Sequence, residues 1–209
     1  ATDSPKGTKG ISLFLVPKFK VNEDGTIGIR NGISTGSIES KMGIKGSATC
    51  VLNFDDAVGY MIGPKNKGLN SMFTMMNYER LSVGLQGLGA GDLAYQHSAR
   101  YAQDRIQGRS ATGAQNPDAE ADSLLVHPDV RRMLLTQRAY VDGCRAFAFF
   151  AGMQLDDAKH KGDERAERFG QLLTPVVKAF LTDKGLEAAV LAQQVLGGHG
   201  YVKELTLIH

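Results

Sequence analysis

Residues 69–105, LNSMFTMMNYERLSVGLQGLGAGDLAYQHSARYAQDR, decide the fold class, because their apolar residues recur at helical spacing. Leu81, Leu85 and Leu88 fall at i, i+4 and i+7, on one face of a helix. Gly84, Gly87 and Gly91 lie along a second line at i, i+3 and i+7. A glycine costs about 1 kcal/mol against alanine inside a helix. Three in line call for a close neighbour, either another helix or a ligand.

Toward the C-terminus, a polar stretch from about Gln107 to Ser123 holds Gly108, Gly113, Pro117 and several acids, and reads as a loop. Pro128 suits the first turn of a second helix, with Asp129 near its positive end. Val130, Leu134, Val141, Cys144, Ala148, Ala151 and Leu155 follow a heptad-like seam along it. A third helical segment runs from about Glu164 to Leu196, where Thr174-Pro175 marks either a kink or a fresh N-cap. Long helices joined by one loop and one short turn predict an antiparallel bundle.

Toward the N-terminus, residues 1 to about 62 read as β-rich. Ile11 to Val16 is a short apolar run closed by Pro17, suited to a mostly buried strand. Glu23-Asp24-Gly25 is a turn between Phe19-Lys20-Val21 and Thr26-Ile27-Gly28-Ile29. Ala48 to Phe54 is a further strand, with Cys50, Leu52 and Phe54 on one face. So few strands offer too little surface for a stable sheet alone, and the expectation is that others precede them.

Hydrophobic residues make up 42% and charged residues 22%, a balance that can close a core. The net charge of +2 is spread along the chain, which argues against a nucleic-acid face. No apolar run is long enough for a membrane span, and the polar start shows no signal peptide. Cys50 and Cys144 make neither a disulfide framework nor a zinc spacing, so a cytoplasmic protein is expected. The five histidines show no HExxH or i, i+4 pair, and no metal site is expected.

Spacing leaves the site candidates open. Glu79-Arg80 could be an acid/base pair, an anion clamp or a solvated helix pair. Arg105, Gln107, Gly108 and Arg109 cluster where the long helix ends, as phosphate ligands or as partners of the helix dipole. Gly197-Gly198-His199-Gly200 is a C-cap and tight turn, or a place where a flat ligand approaches the backbone. His127, before Pro128, could cap the second helix or face a ligand.

Five segments, in order and suitably spaced, together resemble the acyl-CoA dehydrogenase family. They are Lys9 to Pro17, Lys41-Met42-Gly43-Ile44-Lys45-Gly46-Ser47, Asn77-Tyr78-Glu79-Arg80-Leu81, Tyr101-Ala102-Gln103-Asp104-Arg105 and Gln194 to Gly200. The run His127-Pro128-Asp129-Val130-Arg131-Arg132-Met133 is similar to that of the larger subgroup containing 3-methylmercaptopropionyl-CoA dehydrogenase. The resemblance implies an α+β chain: the C-terminal part of a middle β-domain (1–62), then a partial antiparallel helical bundle (63–209). It implies FAD as cofactor, acyl-CoA as substrate, electron-transferring flavoprotein as partner, and a homodimer or homotetramer of the whole protein. Carried over by position, Arg105 and Gln107 would meet the FAD pyrophosphate, and His127 and Pro128 would line the same cofactor. Gln194, Gly197 and Gly198 would contact its adenosine end. Asn77, Tyr78 and Arg80 would contact the substrate.

The implied reaction is α,β-dehydrogenation of the thioester, with a glutamate as base. Glu79 holds the place of that base in the isovaleryl and long-chain branches, but most of the family carries it later, in a Tyr-Glu-Gly-Thr-like stretch absent here. The family's N-terminal helices and early strands are also absent, and residues 206–209 look unlike the expected continuation. A piece of a longer protein, inactive alone, is therefore expected. An oxidase of the same fold, a non-catalytic binding relative and a purely structural helical module remain the alternatives.

Overall fold

The computed structural model describes residues 3–202, so the unusual run at 206–209 lies outside the described residues. The chain divides into two units, 1–75 and 76–209.

In the first unit the turn signal at Glu23-Asp24-Gly25 closes the expected hairpin, β2 (Phe19–Val21) with β3 (Ile27–Arg30). Gly25 takes φ +83°, and Asp24 Oδ1 accepts from the Thr26 N–H at 3.0 Å and the Thr26 hydroxyl at 2.6 Å. Two more antiparallel pairs form: β1 (Leu13–Leu15) with β6 (Tyr60–Ile62), and β4 (Ile33–Ile38) with β5 (Cys50–Phe54). Asn31 ties these segments together. Its Nδ2 donates to the carbonyls of Pro17 and Val58 at 2.9 and 2.8 Å, and its Oδ1 accepts from the N–H groups of Gly32 and Val58.

The Ile11 to Val16 reading needs correction. Its strand is only Leu13–Leu15, and Phe14 and Leu15 are 53% and 59% exposed rather than buried. Burying a strand takes neighbours on both edges and both faces, and among the described residues β1 pairs with β6 alone. Among the described residues, no buried apolar side chain belongs to this unit.

The long helix forms as read, α1 (Gly68–Asp104), and leads into the second unit. It is followed by α2 (Pro128–Lys161) and α3 (Glu164–Val195). Gly162, at φ +67°, ends α2 in the left-handed region, and the Asp163 side chain caps α3 by accepting from the N–H groups of Arg165 and Ala166. This short turn sets α2 and α3 side by side as neighbours. Thr174-Pro175 starts no new helix: α3 runs through it, although proline offers no N–H to the preceding turn.

The glycine line on α1 faces α3. A Cβ at Gly87 would lie 2.8 Å from the Leu181 carbonyl oxygen and the Thr182 Cα, and one at Gly91 would lie 3.2 Å from the Gly185 Cα. The neighbour the sequence called for is thus a helix. Leu88, Val141, Cys144, Ala148, Ala151, Val177 and Leu181 form one buried cluster across the three helices, which includes four of the residues read as the α2 seam. Each buried Val or Leu contributes about 1.5–3 kcal/mol. Ala102, Leu124, Met133, Leu134 and Val195 form a second cluster. Between α1 and α2, buried Ser98 donates to Gln137 Oε1 at 3.0 Å, and Gln137 Nε2 donates to the Met133 carbonyl at 3.2 Å. That polar link is fully enclosed and satisfied.

Candidate nucleotide cleft

The last turn of α1 and the first residues after it share a cleft of about 430 Å³ with the end of α3. Tyr101, Arg105 and Gln107 form one wall, and Gln194 to His199 form the other. Leu124, Val130 and Val195 line it as well, and Leu124 and Val195 belong to the second buried cluster, so the cleft has an apolar floor. Five residues singled out in the sequence, Arg105, Gln107, Gln194, Gly197 and Gly198, converge here.

Each wall has a local cause. Past Val195 the chain turns through a short 3-10 segment, Gly197–Tyr201, which Gly197 enters at φ +58°. Gly200 is buried, and a Cβ there would lie 2.3 Å from the Gln193 carbonyl oxygen, so the turn needs glycine to close. Gln193 Nε2 donates to the Gly200 carbonyl at 2.9 Å, and Gln194 Nε2 donates to the Tyr201 hydroxyl. A Cβ at Gly198 would meet nothing within 4 Å, so the backbone there is open to a close ligand.

On the opposite wall, the loop expected at 107–123 is held at its base by a short antiparallel ladder. The Leu124 N–H donates to the Arg105 carbonyl, the Gln107 N–H to the Asp122 carbonyl, and the Asp122 N–H to the Gly108 carbonyl, each at 2.9 Å. His127 sits at the N-cap of α2 without a side-chain cap bond. Its Nε2 lies 2.8 Å from the Gln107 carbonyl oxygen, and since a carbonyl only accepts, Nε2 carries the proton. Pro128 follows as the first residue of α2. Neither His127 nor Pro128 is among the cleft-lining residues; His127 acts on the Gln107 peptide from behind.

Arg105 and Arg109 have different surroundings. Among the described residues no side chain pairs with Arg105, which lines the cleft. Arg109 is turned into its own loop, donating to the carbonyls of Asn116 at 2.8 Å and Ala119 at 2.5 Å and reaching Asp122 at 3.5 Å. Among the polar residues of the cleft, Tyr101 carried no ligand role in the sequence reading. Its hydroxyl lies 2.8 Å from His199 Nδ1, with the two rings edge to face. The available signal was spacing, since Tyr101 stands one helical turn before Arg105.

Asn77, Tyr78, Glu79 and Arg80 lie elsewhere. From Glu79, about a third of the way along α1, to Arg105 just past its end, the rise is about 39 Å at 1.5 Å per residue, so one chain places the two groups far apart. Arg80 Nη1 donates to Asn77 Oδ1 at 3.2 Å, while Glu79 and Tyr78 are exposed. Next to them, Leu81, Leu85 and Leu88 on α1 and Ala148, Phe149 and Met153 on α2 line an apolar groove of about 350 Å³. Cys144 is buried, which pushes its thiol up and leaves it a packing residue. Among the described residues, no group of three His, Cys, Asp or Glu is placed to hold a metal, and no helix is long and apolar enough to cross a membrane.

A β-rich unit followed by three long helices, with a glycine turn closing a cleft, defines the class of fold. The acyl-CoA dehydrogenase C-terminal domain matches residues 66–209, and the chain belongs to the acyl-CoA dehydrogenase family. It is 42% identical over 205 residues to 3-methylmercaptopropionyl-CoA dehydrogenase of Ruegeria pomeroyi, covering 97% of this chain and 34% of that protein. It is 37% identical over 214 residues to a butyryl-CoA dehydrogenase of Syntrophomonas wolfei, covering 97% and 35%. The fold is that of the butyryl-CoA dehydrogenase structure from Megasphaera elsdenii, at a TM-score of 0.74 and 24% identity over 99% of this chain and 47% of that one. The chain spans about a third of the length of these first curated relatives.

Proposed function

We propose that the protein carrying this chain is an FAD-dependent acyl-CoA dehydrogenase, which removes an α-proton and a β-hydride from an acyl-CoA thioester. The observation that carries this reading is the convergence of Arg105, Gln107 and the Gln194 to Gly198 turn on one cleft. The cleft fits the nucleotide part of FAD on its own features. An unpaired guanidinium can take the diphosphate, two side-chain amides can take polar edges, and the open backbone at Gly198 admits a flat ring. FAD, when bound, supplies the acceptor for the hydride.

The chain's own groups have separate tasks in this reading. Arg105 neutralises phosphate charge, and its pairing gains strength as the apolar floor excludes water. His127, donating to the Gln107 carbonyl, fixes the peptide that presents the Gln107 amide. Arg80, braced by Asn77, contacts the acyl-CoA far from the cleft along α1, beside Tyr78. The rise of about 39 Å between these places favours a homo-oligomer in which each flavin draws on two copies. The division into the end of a β-domain (1–62) and a helical bundle (63–209) belongs to the same reading. So do electron-transferring flavoprotein as the acceptor of the electrons and a cytoplasmic location.

The test is purification of the complete protein, followed by its absorption spectrum and assay with a series of acyl-CoA thioesters and an external electron acceptor. Bound yellow flavin and formation of the 2-enoyl-CoA are expected. A protein that carries flavin but consumes oxygen at the full rate is an oxidase of this fold. One that binds no flavin overturns the reading.

A further inference from the structure

Asp122 stands outside every residue so far given a task, yet it is 1% exposed in a polar loop. Its carboxylate accepts from the N–H of Ser110 at 3.0 Å, from that of Gln115 at 3.0 and 3.1 Å, and from that of Asn116 at 2.9 Å, with Arg109 Nη1 at 3.5 Å. A buried carboxylate is retained only when such donors replace its water. These donors gather the far side of the loop onto one atom group. The same residue's backbone forms the ladder that flanks Gln107: its carbonyl takes the Gln107 N–H, and its N–H gives to the Gly108 carbonyl. The Gln107 carbonyl is meanwhile taken by His127 Nε2. Both polar atoms of the Gln107 peptide are therefore fixed, one of them by Asp122.

We infer that Asp122 is a positioning residue for the cleft: by closing the 106–123 loop onto its carboxylate, it holds the Gln107 peptide where its side chain meets the diphosphate-bearing ligand. This rests on the reading of the cleft as a flavin nucleotide site. Arg109 contributes by tying the Asn116 and Ala119 carbonyls to the same centre, which explains why it faces the loop and not the cleft.

The experiment is a double-mutant cycle on FAD affinity, measured by reconstituting the apo form of the complete protein with FAD. Asp122→Asn, Gln107→Ala and the pair are compared, with a thermal melt of each. An asparagine keeps the shape but turns an amide group toward N–H donors. Each single change is expected to weaken FAD binding about tenfold. The double variant is also expected to lie near tenfold, because Asp122 acts through Gln107. Arg109→Met is the second probe, expected to weaken binding about threefold, with little further loss when Gln107→Ala is already present; it keeps the test standing if Asp122→Asn does not fold. Unchanged affinity in Asp122→Asn, or independent losses multiplying to about a hundredfold, would overturn the inference and leave the cleft reading intact. Absence of FAD binding by the unaltered protein sinks the cleft reading instead.

Discussion

At the scale of single residues, charge placement decides what the cleft can do. The N–H of Ser110, those of Asn116 and Gln115, and the Arg109 guanidinium hold the Asp122 carboxyl down to about 2, against burial, which pushes it up. A folded value below the unfolded one, near 3.9, means that the stabilising contribution is complete above about pH 4. It is lost as pH falls through about 2. Amide chemical shifts of Ser110, Gln115 and Asn116 are therefore expected to stay constant down to about pH 4 and to move together below it. Movement centred near pH 4 would mean that the carboxylate is not held as described. Glu79 is a contrasting carboxylate, exposed and bonded to no neighbour among the described residues. A general base is best placed out of water. Glu79→Gln in the complete protein is expected to keep turnover within about tenfold, with FAD content unchanged. A loss of a thousandfold or more would make Glu79 the base. Arg105, Gln107 and the Gln194 turn were legible because they sit at helix ends where charge and glycine are conspicuous. Asp122 was not, since an acid in a polar loop looks the same whether it faces water or gathers N–H groups.

At the scale of elements, α1 and α3 meet along glycines, and this makes two neighbouring positions respond oppositely to alanine. At Gly87 a Cβ would lie 2.8 Å from the Leu181 carbonyl oxygen, whereas at Gly89 it would meet nothing within 4 Å. Gly89→Ala is expected to stabilise by up to about 1 kcal/mol through helix propensity. Gly87→Ala is expected to destabilise by about 1–3 kcal/mol, because the crossing must open. Denaturant melts of the two variants check the signs, and equal shifts would remove the packing argument. The helices were readable almost to their ends because period, Pro128 and the short turn expected before Glu164 all agree. The glycine line predicted a neighbour without saying which. The strand at Ile11 to Val16 misled because apolar composition gives no information on how many strands stand beside it.

At the scale of the whole molecule, the two candidate sites lie about 39 Å apart along α1, and the chain corresponds to about a third of the curated relatives' length. A ligand that needs groups from both places is held weakly by one isolated copy. The 209-residue chain by itself is expected to bind FAD at least a hundredfold more weakly than the complete protein and to form no enoyl-CoA. Equilibrium dialysis and a turnover assay on the two proteins decide this, and tight yellow flavin on the isolated chain would refute it. The contact of Gly87 with Gly185 has a further consequence. A side chain at 185 would press to within 2.2 Å of the Gly87 carbonyl oxygen, and one at 87 presses back on the Leu181 and Thr182 backbone. Any first- or second-base change in a glycine codon adds a side chain or ends the chain, so these two codons can drift silently only at their third base.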